Sequence, residues 1–169
     1  MVRKILLIIV LLPLLLWMLA PKKELFYLLE KQLATQGIVL SDGIMHEQLF
    51  GLTIEHPTLY FKGIKVATAH EISLWSVLVY TQGSIDAIAV DSSLQSYLPK
   101  KIEKVSMVHS VVAPKDVIVS IIDPVLAGDG NVAITQRKIH LLFPKLPPPS
   151  ALTRYLKQTK GGWTYEQRF

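Results

Sequence analysis

Cysteine is absent from the 169 residues. That excludes disulfides, thiolate zinc sites and a cysteine nucleophile, while leaving the compartment open. Concentrated positive charge is missing too, although the net charge is +5. Arg3, Lys4, Lys22 and Lys23 supply four of the 18 basic residues, and the other 14 stand against 13 acidic residues, a balance of +1. Nucleic acid is therefore not an expected partner, since its binders carry a concentrated basic face. The one compact group, Lys100, Lys101 and Lys104 around Glu103, reads as a solvated loop or helix end.

Signatures of chemistry are equally scarce. His46, His109 and His140 are isolated and lack the short spacing of metal ligands, and no serine sits in a G-x-S-x-G elbow. Gly128-Asp129-Gly130-Asn131 lacks the Lys-Ser/Thr of a phosphate loop and reads as a hairpin turn. Two acid–imidazole neighbours remain, Glu55-His56 and His70-Glu71. In a strand, successive side chains project to opposite faces, so His56 follows Leu52 and Ile54, and His70 precedes Ile72 and Leu74, each turned away from its adjacent glutamate. Pro57 leaves the facing of His56 open, and only approach between different strands would assemble a site. The expectation is a protein that is not an enzyme, with no catalytic residue, cofactor or metal.

What the sequence does contain is one uninterrupted apolar run, Ile5 to Ala20. Arg3 and Lys4 precede it, as in a signal segment, but Met18 is bulky where cleavage needs a small residue and Pro21 follows the bond that would be cut. Residues 1–23 are thus expected to form an uncleaved signal anchor, a transmembrane helix. Its lipid-facing residues are Ile5, Leu6, Leu7, Ile8, Ile9, Val10, Leu11, Leu12, Leu14, Leu15, Leu16 and Trp17. Sixteen residues span roughly 24 Å of a roughly 30 Å hydrocarbon core, a gap that Lys22 and Lys23 close by snorkelling. The short N-terminal tail favours placing the large C-terminal part outside the cytoplasm.

Residues 24–36 carry Leu25, Phe26, Leu29 and Leu33 on one helical stripe, ended by Gly37, and are expected as a juxtamembrane amphipathic helix. From residue 37 to 169 the period changes to two. GIVLSD, FGLTIE, TLYFKGIKVA, HEISLWSVLVY, SIDAIAVD, KVSMVHSVV, DVIVSII, GNVAITQ, KIHLLF and GGWTYEQRF are short, β-branched or aromatic, and bounded by turn residues. Short helices are expected at Ser93–Leu98 and Ser150–Gln158. The expected fold class is mainly β: an N-terminal transmembrane helix followed by a small antiparallel β-sheet domain with two or three short helices. Strands this short argue against a membrane barrel. The terminal alternation of Trp163, Tyr165, Gln167 and Phe169 marks a closing strand or an edge for a partner.

The single N-terminal helix, the strands LTIEHPTLYFKGIKVATAHEISLW and SIDAIAVDSSLQSYLP, GDGNVAITQRKIHLLF, and the final SALTRYLKQTKGGWTYEQRF together resemble type II secretion system protein N and AsmA-like envelope proteins over residues 37–169. The resemblance implies a single-pass inner-membrane protein with a periplasmic domain and a non-enzymatic role in a secretion system or in lipid handling at the envelope. Two roles follow as expectations. One is a scaffold or adaptor of an envelope complex, related to type II secretion or to a pilus, with protein partners. The other is binding or transfer of lipid or another apolar ligand on an apolar sheet face, to which Leu52, Ile54, Leu59, Phe61, Ile64, Val66, Ile72 and Leu74 would contribute. A face sealed by the helices at 24–36 and 150–158 favours the scaffold, and an open one favours the ligand.

Overall fold

The computed structural model describes residues 22–41, 43–145 and 151–168. The anchor expected at residues 5–20 lies outside them, and among the described residues no helix is long and apolar enough to cross a membrane. Helix α1 spans Lys22–Ala34. It stops because Gly37, at φ 81°, turns the chain; a side chain there would also press on Lys62, whose N–H donates to the Gly37 carbonyl at 2.6 Å. Of the expected apolar stripe, Phe26 and Leu33 face the sheet, whereas Leu29 is exposed.

Among the described residues after α1 the chain folds into thirteen antiparallel strands of one sheet. They are β1 (Ile38–Ser41), β2 (Ile44–Gln48), β3 (Gly51–Glu55), β4 (Thr58–Phe61), β5 (Ile64–Thr68), β6 (Glu71–Val77), β7 (Tyr80–Val90), β8 (Lys101–Ser110), β9 (Ala113–Ile122), β10 (Gly128–Ala133), β11 (Lys138–Phe143), β12 (Lys157–Thr159) and β13 (Gly162–Arg168). From β7 onward they follow a meander, β7-β8-β9-β10-β11-β13-β12. Mainly β with few helices is thus correct, but β7, β8 and β9 reach 10 or 11 residues and are not short.

The N-terminal half is forked. Residues 51–61 and 64–77 form one long hairpin through Lys62 and Gly63, both at positive φ as a tight two-residue turn requires. It is kinked where His56, at φ 52°, meets Pro57; the His56 N–H donates to the His70 carbonyl at 2.8 Å and the Ala69 N–H to the Pro57 carbonyl at 3.0 Å. Beyond the kink, β5 pairs with the end of β7, whereas β6 pairs with its beginning. Ala87, at φ 51°, marks the division. The bend resets the alternation, so that Ile85 and Ile88, of opposite parity, both line the same cavity.

Several local expectations are corrected. Gly128 to Asn131 are not a hairpin turn but lie in β10, where a Cβ on Gly128 would sit 2.7 Å from the Phe143 ring and one on Gly130 would strike the backbone of His140 and Leu141. The turn before them is Asp123 to Ala127, and Asp123 organises it. The lysine group lies mostly in strand β8 rather than in a loop or helix end, and Lys104 reaches Asp86 at 3.0 Å. The helix expected at Ser93–Leu98 is a 3₁₀ turn at Ser92–Leu94 capped by Asp91, whose carboxylate accepts from the Ser93 N–H. That at Ser150–Gln158 is a 3₁₀ turn at Ala151–Tyr155, and Lys157 already begins a strand.

Packing is concentrated at one end of the meander. Val90, Ile102, Leu126 and Phe143 are buried there, with Leu94, Leu98, Leu156 and Trp163 packed over them. Asp123 pins the same end: its carboxylate accepts from the N–H groups of Val125 (2.8 Å), Leu126 (2.9 Å) and Glu103 (3.0 Å). Burial opposes its ionisation, yet the three donors together hold the carboxyl below the ordinary aspartate range.

Candidate apolar groove

Hydrogen-bond register shows which side chains share each face of the sheet. One lane runs Leu52, Leu74, Gly83, Met107, Val119, Gly130 and Leu141 from β3 to β11. A parallel lane runs Ile54, Ile72, Ile85, Val105, Ile121 and Gly128. Period-two alternation has therefore placed two adjoining aliphatic lanes on one surface. The opposite surface carries Thr53, Ser73, Ser84, Ser106, Ser120 and Asp129 in one lane, and Trp75, Gln82, Val108, Ile118 and Asn131 in the lane beside it. There Ser73 and Ser84 share a hydrogen bond of 2.9 Å, and Ser84 donates to Asp86 at 3.0 Å.

The apolar surface is covered unevenly. Helix α1 packs on β1 and β3, and the core cluster closes the far end. Between them Leu74 is 42% exposed and Met107 39%, while Ile85, Val105, Val119 and Ile121 are half-buried. Gly83 leaves a dip in the middle: a Cβ there would meet Met107 at 3.7 Å, Leu74 at 3.8 Å and the Ser73 carbonyl at 3.9 Å, ordinary contact distances. At the fork the surface deepens into a cavity of about 190 Å³ between Leu33 of α1 and Ile38, Leu59, Ala67, Ile72 and Ile88 of the sheet. Thr68 is its one hydroxyl-bearing residue, so the cavity offers almost nothing to hold water and suits a hydrocarbon.

The residues expected on the apolar face are distributed by the kink. Leu52 and Ile54 are buried, Leu59 and Ile72 line the cavity, Leu74 stands on the open surface and Val66 is half-buried. Phe61 and Ile64 are opposite each other at the tip of the β4–β5 hairpin and face solvent, with Lys62 Nζ 5.4 Å from the Phe61 ring centroid. The larger part of the surface, on β7 to β11, went unnoticed in the sequence. Its signal was present in the spacing of two between Val105 and Met107 and among Val117, Val119 and Ile121, which only a known register aligns.

The imidazoles do come together across strands. His56 and His70 form an edge-to-face pair with ring centroids 5.0 Å apart on the exposed side of the kink. Glu55 turns instead to His46, at 3.6 Å and largely in solvent. Among the described residues no three His, Asp or Glu side chains are grouped as metal ligands. The C-terminal strand is internal, paired with β11 on one side and, through Gly162 to Thr164, with β12 on the other.

No family model, curated protein or solved structure matches the chain. Fold and groove alone define the class: a mainly β protein built on one antiparallel sheet with an apolar and a hydroxyl-rich face.

Proposed function

We propose that the chain is a membrane-anchored, non-enzymatic protein that holds a lipid acyl chain, or a ligand of similar apolar character, against the open face of its sheet. Residues 5–20 would anchor it in the inner membrane with the sheet on the periplasmic side. The observation that carries the reading is the half-exposed aliphatic lane through Leu74, Gly83, Met107 and Val119, continuous with the cavity at the fork. An aliphatic surface of this extent left beside water is costly, at about 25 cal/mol for each Å² that a ligand would cover. A scaffold or adaptor for protein partners has less support, because α1 packs on β1 and β3 and Leu156, just after the 3₁₀ turn at Ala151–Tyr155, packs at the far end, so neither seals the middle of the face.

A phospholipid with a photoreactive group near its acyl terminus tests this in vesicles carrying the full chain. Adducts are expected with the wild type and with Gly83→Ala, which fits the available space, and strong loss with Gly83→Phe, which fills the dip. Equal labelling of all three proteins would overturn the reading.

A further inference from the structure

Hairpin tips are usually Gly, Asn or Asp, because those residues tolerate positive φ and water. At one end of this sheet three tips are apolar instead, and a fourth begins with isoleucine. Leu49-Phe50 joins β2 to β3, Leu78-Val79 joins β6 to β7, Val111-Val112 joins β8 to β9, and Ile134 opens the turn between β10 and β11. Val79 is 59% exposed, Val111 57% and Val112 93%. Leu78 adopts φ 28°, a conformation for which leucine is poorly suited. Backbone bonds link the tips into one rim: Ser76 N–H to the Phe50 carbonyl at 2.7 Å, Val111 N–H to that of Val79 at 2.9 Å, and Ile134 N–H to that of Lys115 at 2.8 Å. At the other end of the strands the connections mix Ser92, Ser93, Ser96, Lys100, Asp123 and Lys160 with the exposed Tyr97 and Val125.

The same rim lies where the anchor should arrive. Leu33 of α1 lies beside Leu59, and Phe26 beside Ile54, so the helix runs alongside β3 and β4 with its N-terminus leading toward Gly51, at the rim. Lys22 follows about 6 Å beyond Phe26 at 1.5 Å per residue, and the apolar run 5–20 ends just before it. Trp75, three residues before the Leu78-Val79 tip, and Tyr80, directly after it, have ring centroids 5.9 Å apart and stand at the depth where interfacial aromatics sit. Lys115, Arg137 and Arg168 stand near the tips against Glu47 and Asp116, a slight positive excess that suits a phosphate-bearing surface.

We propose that this rim is a docking surface for the lipid bilayer: the aliphatic tips rest in the interfacial layer of the membrane that residues 5–20 enter, and the groove opens onto it. The proposal rests on the anchor reading above. On the groove's face the lane nearest the rim is Ser76, Thr81, His109, Val117 and Val132, so the aliphatic approach from the rim to the groove lies on β9 and β10.

The absence of cysteine makes single-site labelling unambiguous. The full chain, as Val112→Cys or as Val125→Cys at the capped end, is labelled with an environment-sensitive dye and reconstituted into phosphatidylcholine–phosphatidylglycerol vesicles. A blue shift at position 112, quenched by spin-labelled acyl chains, with neither effect at 125, is the expected result. Chain that floats with the vesicles while position 112 stays in water would overturn the rim and leave the anchor standing. A blue shift without lipid quenching would overturn it as well, indicating a protein partner or a second copy. Chain that fails to float would overturn anchor and rim together. Gly83→Phe, which tests the groove, should leave the signal at 112 unchanged.

Discussion

The two ends of the meander are made from the same alternating strands and finished in opposite ways. At one end Val90, Ile102, Leu126 and Phe143 are buried, and Asp123 satisfies three backbone donors. At the other, valines and leucines occupy the turns and project into solvent. A strand pattern determines which face is apolar, whereas the turns and covering segments determine whether that face becomes a core or a surface. Stability should therefore concentrate at the capped end, and binding at the open middle and rim.

Changes at the capped end should have the largest effects. Phe143→Ala removes the side chain that packs over Gly128, and should cost about 3–5 kcal/mol in denaturant unfolding. Asp123→Ala leaves three N–H groups without their acceptor, two of them in the turn and one on β8, and should cost about 2–3 kcal/mol. The Asp123 carboxyl is held below its unfolded value, so its contribution is present above the ordinary aspartate range near pH 3.9 and is lost as pH falls through the lower folded value. Asp123→Asn should flatten that acid limb of a stability–pH profile.

Smaller effects on stability should accompany larger effects on binding toward the open side. Gly83→Phe should reduce acyl-chain labelling about tenfold, equivalent to about 1.4 kcal/mol, with little change in unfolding. Val112→Asp, at a 93% exposed position, should alter unfolding by less than about 0.5 kcal/mol and still weaken contact of the rim with vesicles. His56→Gln and His70→Gln should matter least, leaving lipid labelling unchanged, since the ring pair lies on the exposed side of the kink. Loss of labelling in a folded His70→Gln protein would make the pair part of the binding machinery.

Period-two alternation made the antiparallel sheet legible, along with the helix before Gly37. Strand β2, IMHEQ, was missed because its polar Glu47 and Gln48 belong to an edge that packs little. HEISLWSVLVY and KVSMVHSVV read as unbroken strands, because their turns at Leu78-Val79 and Val111-Val112 contain none of the residues that normally announce a turn. That missing signal now identifies the rim. The fork depended on positive φ at His56 and at Ala87, where alanine does not advertise such a conformation, and it scattered Leu59, Phe61, Ile64 and Val66 between cavity, tip and flank. Facing of the acid–imidazole neighbours was readable in part: Glu55 turns to His46, but the meeting of His56 with His70 required the kink.

The most direct test is to locate the acyl-chain adducts on the full-length protein in vesicles by peptide mass spectrometry. Adducts at Met107 and Val119, with none at their strand neighbours Ser106 and Ser120, are the expected result, since these pairs stand on opposite faces of β8 and β9. Labelling spread equally over both faces, or confined to the hydroxyl-bearing one, would contradict a lipid site on the apolar surface.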